Sequence, residues 1–213
     1  SESDFYSGTL NVQHKFKKDG HKIEANASYS GRTGFDGDEE NEMLTDENYN
    51  PSGTYLARVQ TNEEEDEKEF RLKADYTLPF SDVSKLEAGF QSRMERNDES
   101  TSFKEYDPVS GTWITSDFFS SSIDFKNDIH AVYATYSNKL GGLQFMCGLR
   151  GEITDREIKS SANDSVATLQ LFDLFPTLHL SYDIGEKNEI MASYSRRINR
   201  PGGWDLNPVP TYF

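Results

Sequence analysis

Four histidines, one cysteine and 37 acidic residues are the side chains of this 213-residue chain best able to hold a metal or move a proton. His14, His21, His130 and His179 show none of the short spacings that bring imidazoles onto one metal ion. Cys147 sits at an apolar position of an alternating run, which suits a small buried or lipid-facing residue better than a nucleophile. Asp36-Gly37-Asp38-Glu39-Glu40 resembles the start of a calcium loop. It lacks the sixth-position glycine and the spaced final glutamate, so it reads as a solvated segment. No nucleophile elbow, phosphate loop or zinc-helix motif occurs. A carboxylate pair for glycoside cleavage cannot be singled out among so many acids. Arg196, Arg197 and Arg200 could hold an anion, although ion pairs with a neighbouring strand are the simpler use. The remaining chemistry is stacking. Tyr49, Tyr55, Phe103, Tyr106, Trp113, Phe118 and Phe119 lie in polar stretches, and Tyr49, Tyr55, Tyr106 and Trp113 are the expected ligand contacts. The chain is therefore read as a non-enzyme with no cofactor and no metal centre.

Composition narrows the class. Apolar residues are 34% of the chain, yet it carries eleven Tyr and fourteen Phe. Disordered chains are poor in aromatics, so this one folds. Low hydropathy with many aromatics suits strands that have one wet face. The net charge is −15, and thirteen acidic against two basic residues fall between Asp36 and Glu69. That balance excludes a nucleic-acid partner, which needs a basic surface. No run of about 18 apolar residues is present, so no helix crosses a bilayer, whereas a barrel strand needs only about 9–11 residues.

Alternation with period two recurs throughout. Tyr6, Gly8, Leu10, Val12 and Phe16 define a first strand face, Lys18-Asp19-Gly20 a tight turn, and Ile23, Ala25, Ala27 and Tyr29 the return. Phe70, Leu72, Ala74, Tyr76 and Leu78 pair with Leu86, Ala88, Phe90 and Met94 in a second hairpin. The third joins 123–138 to 143–156 through Leu140-Gly141-Gly142. In its first strand, Ile129, Ala131 and Tyr133 compete with Val132, Ala134 and Tyr136 for the apolar face. The fourth carries Leu174, Leu178, Leu180, Tyr182 and Ile184, then Ile190, Ala192, Tyr194 and Ile198. Pro176 inside it marks a strand start, an edge or a bulge, because proline cannot donate to a ladder. Residues 31–67, 96–122 and 157–170 are expected as long polar loops, with a short strand at Tyr55–Val59.

The expected fold is all-β: an antiparallel up-and-down meander of about eight strands, part of a transmembrane β-barrel. Short turns fall at one end and long connections at the other, as in outer-membrane barrels. The apolar faces of the second and third hairpins carry no charge in mid-strand. Arg71, Lys73, Glu87, Arg93, Arg150 and Glu152 lie opposite, where a watery lumen accepts them. A soluble lectin-like sandwich gives the same alternation and is the alternative, and a small complete barrel is a second one.

Ser193-Tyr194-Ser195-Arg196-Arg197-Ile198-Asn199-Arg200-Pro201 followed by Asp205-Leu206-Asn207-Pro208 resembles a signature of the outer-membrane barrel of TonB-dependent receptors. Residues 174–182, 148–154 and 74–80 are similar to strands of the same family, while Gly202-Gly203-Trp204 departs from its usual filler. The resemblance implies a barrel of about 22 strands with a plug domain. It also implies a place in the cell outer membrane of a Gram-negative bacterium, and uptake of an unidentified nutrient driven by a periplasmic energy-coupling protein. On that reading residues 1–213 are one partial barrel domain, without the plug or the rest of the barrel. Outer-membrane lipid, the nutrient and the coupling protein are its partners, the last through absent regions. Alone, such a piece is expected to turn Leu72, Phe90, Phe145, Leu149, Leu178 and Leu180 inward as a buried set and to oligomerise.

Overall fold

The computed structural model describes residues 1–162, 164–185 and 187–198. They form nine strands and no helix. These are β1 (Glu2–Lys15), β2 (Lys22–Thr45), β3 (Pro51–Pro79), β4 (Lys85–Asp107), β5 (Thr112–Thr115), β6 (Ser121–Leu140), β7 (Leu143–Ser160), β8 (Ser165–Ile184) and β9 (Asn188–Ser195). Eight of them make one antiparallel meander in sequence order, and short β5 pairs with β4 beside it. The sheet is open, with β1 and β9 at its edges among the described residues. Among the described residues there is no second sheet to pack against, which removes the sandwich alternative.

The pairing register sorts residues into two faces, because directly paired residues point the same way. One row reads Ala25–Ala74–Phe90–Val132–Gly151–Leu174, and another reads Leu86–Tyr136–Cys147–Leu178–Tyr194. The competition in β6 is thereby resolved: Val132, Ala134 and Tyr136 join the apolar face, while Ile129, Ala131 and Tyr133 take the polar one.

The apolar face is the outer one. Val132 is 63% exposed and Leu149 52%, whereas Ala131 is 3% and Thr154 0% exposed on the opposite face. Side chains there reach across an intervening strand: Tyr133 on β6 bonds Asp75 on β3, and Arg150 on β7 bonds Gln91 on β4. Such reach requires a concave surface. The expectation that the chain would close inward over its leucines is therefore overturned. Phe90, Leu149 and Leu178 are exposed, Leu72, Phe145 and Leu180 are half-buried, and the charges occupy the hollow. Two charges buried on the polar side, Glu152 and Arg156, have partners there, which makes this curvature affordable.

The segments expected as loops are mostly strand. β2 and β3 continue until only Asp46–Asn50 separates them, β7 and β8 are parted at 161–164, and β4 runs on to Asp107. Residues there alternate acid with acid, as in the partners Glu65↔Glu99 and Asp66↔Asp98. Both faces meet water, so the ladder persists without hydrophobic contrast. Pro176 is an edge in effect: β9 pairs β8 only from Thr177 onward.

Candidate functional site

Two regions concentrate polar chemistry. The first is the wall of the hollow. Glu69 accepts from Arg71 at 2.6 Å and from Arg93 at 2.7 Å. Arg93 also pairs with Glu95, which accepts from Asn127 at 2.6 Å. Asn127 in turn accepts from Arg156 at 3.4 Å. This belt crosses β3, β4, β6 and β7. A second group sits nearer the short turns. Tyr133 donates to Asp75 at 2.5 Å, Lys73 pairs with Asp75 at 2.8 Å, and Arg150 pairs with Glu152 at 2.9 Å. These mutually paired charges give the hollow an ion-paired lining.

The second region lies on the strand extensions beyond the apolar band. The Arg58 guanidinium sits 5.1 Å from the Tyr55 ring, 4.8 Å from Tyr106 and 5.3 Å from Trp113. Its Nη2 donates to Glu39 at 2.9 Å and its Nε to Asn41 at 2.9 Å. Tyr106 and Trp113 meet edge to face at 5.5 Å across the β4–β5 pair. A bulge makes this possible. Glu42 pairs with Ala57 but Met43 with Tyr55, so Leu56 is extra and Tyr55 turns onto the face of Arg58. The hydrogen bond from Arg58, and after it that from Asn41, holds the Glu39 carboxyl below the usual range.

Of the four expected contacts, Tyr55, Tyr106 and Trp113 thus converge on one cation. Tyr49 stands apart, 88% exposed in the Asp46–Asn50 turn with φ 64°, and its ring meets no aromatic or cationic partner among the described residues. Phe103 and Phe119 pack together at 5.0 Å and anchor the 116–120 turn to β4. Arg58 escaped the sequence reading because the bulge shifts the phase of β3 just where alternation fades. Asp36–Glu40 is strand, so Asp36, Asp38 and Glu40 point opposite to Glu39 and cannot wrap a cation. Among the described residues no cluster of His, Cys, Asp and Glu could hold a metal ion. Arg196 pairs with Asp173 at 3.7 Å, as the simpler reading of the arginines expects; Arg200 and the motif from Asn199 onward lie outside the described residues.

The outer face supplies the class. Its apolar stretch on β7, Leu143 to Ile153, is eleven residues long. At about 3.4 Å per residue and a tilt near 40°, such a stretch climbs about 26 Å, the height of a membrane band. Aromatics rim its short-turn end. Phe80 lies 6.3 Å from Tyr136, Tyr136 6.0 Å from Phe145, and His21 bonds Tyr76 at 2.9 Å. Lys68, Arg96 and Asp128 begin the far border. An apolar band with an aromatic girdle outside and paired charges inside defines a segment of transmembrane β-barrel wall.

Residues 14–213 match the Outer membrane protein beta-barrel family, and the chain belongs to it. Its place is the cell outer membrane. The fold resembles that of the ferric citrate transporter FecA in its unliganded form, at 12% identity and TM-score 0.56, over 90% of this chain and 27% of that one. It also resembles the copper transporter OprC, at 16% identity and TM-score 0.60, over 95% of this chain and 32% of that one. The chain thus spans a third or less of either transporter. No curated protein matches the sequence. The barrel expected from the motifs agrees with these findings, and the chain is an outer-membrane β-barrel protein.

Proposed function

We propose that this chain is one section of the barrel of a TonB-dependent receptor, which takes up a scarce nutrient by energy-coupled transport and catalyses no reaction. The observation that carries the reading is the division of the sheet: lipid-type residues outside, a hydrogen-bonded charged wall inside, and long strand extensions at one end only. In this reading a plug domain and the remaining strands complete the barrel, and a periplasmic coupling protein acts through those regions. The extensions capture the ligand, with Tyr49, Tyr55, Tyr106 and Trp113 as the stacking surfaces. Arg58 holds three of those rings together, so the cluster presents edges and faces in a fixed arrangement instead of mobile side chains.

The test uses the full-length receptor in its own cells. A strain lacking the gene is grown in competition with wild type on a panel of limiting nutrients. The expected result is a deficit on one nutrient that the intact gene repairs and that reappears when the energy-coupling protein is deleted. Swelling of liposomes by passive sugar entry through the purified barrel, with no dependence on coupling, would instead mark an open pore.

A further inference from the structure

We propose that the short-turn end of the hollow carries a binding site for a soft monovalent metal ion, copper(I), built from Met146, His179 and Met191. The concave face there is otherwise polar, with Ser137, Lys139, Gln144, Ser181 and Ser193 around a cavity of about 620 Å3. Two methionines out of the four in the chain interrupt it. A watery wall gives thioethers no hydrophobic reason to be there.

Register brings the three side chains together. Met146 pairs directly with His179 across β7–β8, and His179 pairs with Ser193 across β8–β9. Met191 pairs with Ser181, one step along the same face, and is therefore diagonal to His179. Direct partners have Cα atoms about 4.5–5.5 Å apart, and diagonal neighbours lie about 7–8 Å apart, within reach of long side chains. Methionine has three rotatable bonds, so both sulfurs can swing toward one point beside the imidazole. His179 makes no hydrogen bond or ion pair among the described residues, whereas His21 bonds Tyr76 and His130 bonds Ser92. Its ring nitrogens are not committed elsewhere.

The donor set selects the ion. Two thioethers and an imidazole suit copper(I), a soft ion that tolerates low coordination numbers. Calcium and magnesium require several oxygen ligands, whereas the residues lining the cavity include one carboxylate, Asp82, and Lys139 is paired with Asp183 at 3.1 Å. Zinc prefers thiolate, imidazole and carboxylate, of which only the imidazole is central here.

The experiment titrates purified full-length receptor, in detergent under reducing and anaerobic conditions, with copper(I) against a chromogenic copper(I) chelator. One equivalent should be retained. Silver(I), a redox-inert probe with the same preferences, should displace it, and zinc(II) should not. Met146→Leu, Met191→Leu and His179→Gln should each weaken binding by at least tenfold, while Met94→Leu on the outer face leaves it unchanged. Heat-modifiable gel migration checks that each variant still folds. Failure to retain an equivalent, unchanged affinity in either Met→Leu variant of the site, or equal displacement by zinc would overturn the proposal. Binding is read on purified protein without energy coupling, so its outcome is separable from that of the uptake assay.

Discussion

Gly89 shows how closely single residues set the polar wall. Asp75, Gly89 and Tyr133 are paired in one row across β3, β4 and β6. The Tyr133 ring passes over Gly89 to donate to Asp75, and a Cβ on Gly89 would lie 2.5 Å from the ring and 2.7 Å from the Ala74 carbonyl oxygen. Gly89→Ala should therefore cost about 1–3 kcal/mol by overpacking. Tyr133→Phe removes a hydrogen bond to a charged acceptor and should cost about 1.5–3 kcal/mol. Because the two act through one contact, their costs should not add. Urea unfolding in lipid vesicles, using the full-length protein, reads all three; simple additivity in the double variant would refute the coupling. The opposite face makes the complementary case. Leu149→Arg, at mid-band on the outer side, should destabilise the barrel by about 2–4 kcal/mol, while Gln144→Arg on the hollow side is tolerated. Equal responses in the same assay would mean that the two faces are wrongly assigned.

At the scale of elements, the long extensions of β2, β3 and β4 are unusual in their charge. Glu99 on β4 pairs directly with Glu65 on β3. Burial first, then Glu65 and Glu63, raise its carboxyl above the ordinary range. The folded extension thus binds this proton more tightly than the unfolded chain does. The ionised group opposes folding above the raised value, and this penalty fades as pH falls and is gone below the unfolded value, about 4.3. Glu99→Gln should accordingly slow proteolysis of the extension at neutral pH and lose that advantage in acid. An advantage that grew on acidification would contradict the sign. Glu39 has the opposite sense, its stabilising pair with Arg58 being lost as pH falls through its lowered value.

These same elements mark what was legible in the sequence. Within the apolar band, Leu72 alternates with Arg71 and Lys73, and Leu149 with Arg150, so strands, faces and turns such as Lys18-Asp19-Gly20 are legible directly. Gly20 has φ 71°, as that turn needs. Beyond the band both faces are wet, and Glu63 to Glu67 offers no contrast to read. Strand there is indistinguishable from loop by pattern. β6 was ambiguous for a related reason: Ile129 and Ala131 are apolar residues on the hollow side, where Ala131 is covered by its neighbours. Aromatic candidates were visible by type, but only the bulge at Leu56 reveals which of them meet Arg58.

The whole molecule presents two unpaired edges and one broad apolar face. β1 is bonded only to β2, and β9 only to β8 among the described residues. Free N–H and C=O groups on such edges recruit further strands. In a complete barrel the edges meet other strands and lipid covers the outside, where Leu10, Val132, Leu149, Ile153 and Ile190 are all more than half exposed. Folding inward is no escape, since the hollow is lined by ion pairs that would have to be broken or turned into lipid. The 213-residue chain, produced alone in water, should therefore associate through its edges and outer face. Detergent should cover the face but leave the edges free, so it should reduce the size of the assemblies without abolishing strand pairing between copies. Circular dichroism should report antiparallel sheet with almost no helix in both conditions, and light scattering should show multimers in buffer and smaller multimers in micelles. A monodisperse monomer in detergent-free buffer would overturn this expectation and require the outer leucines to find cover within the chain itself.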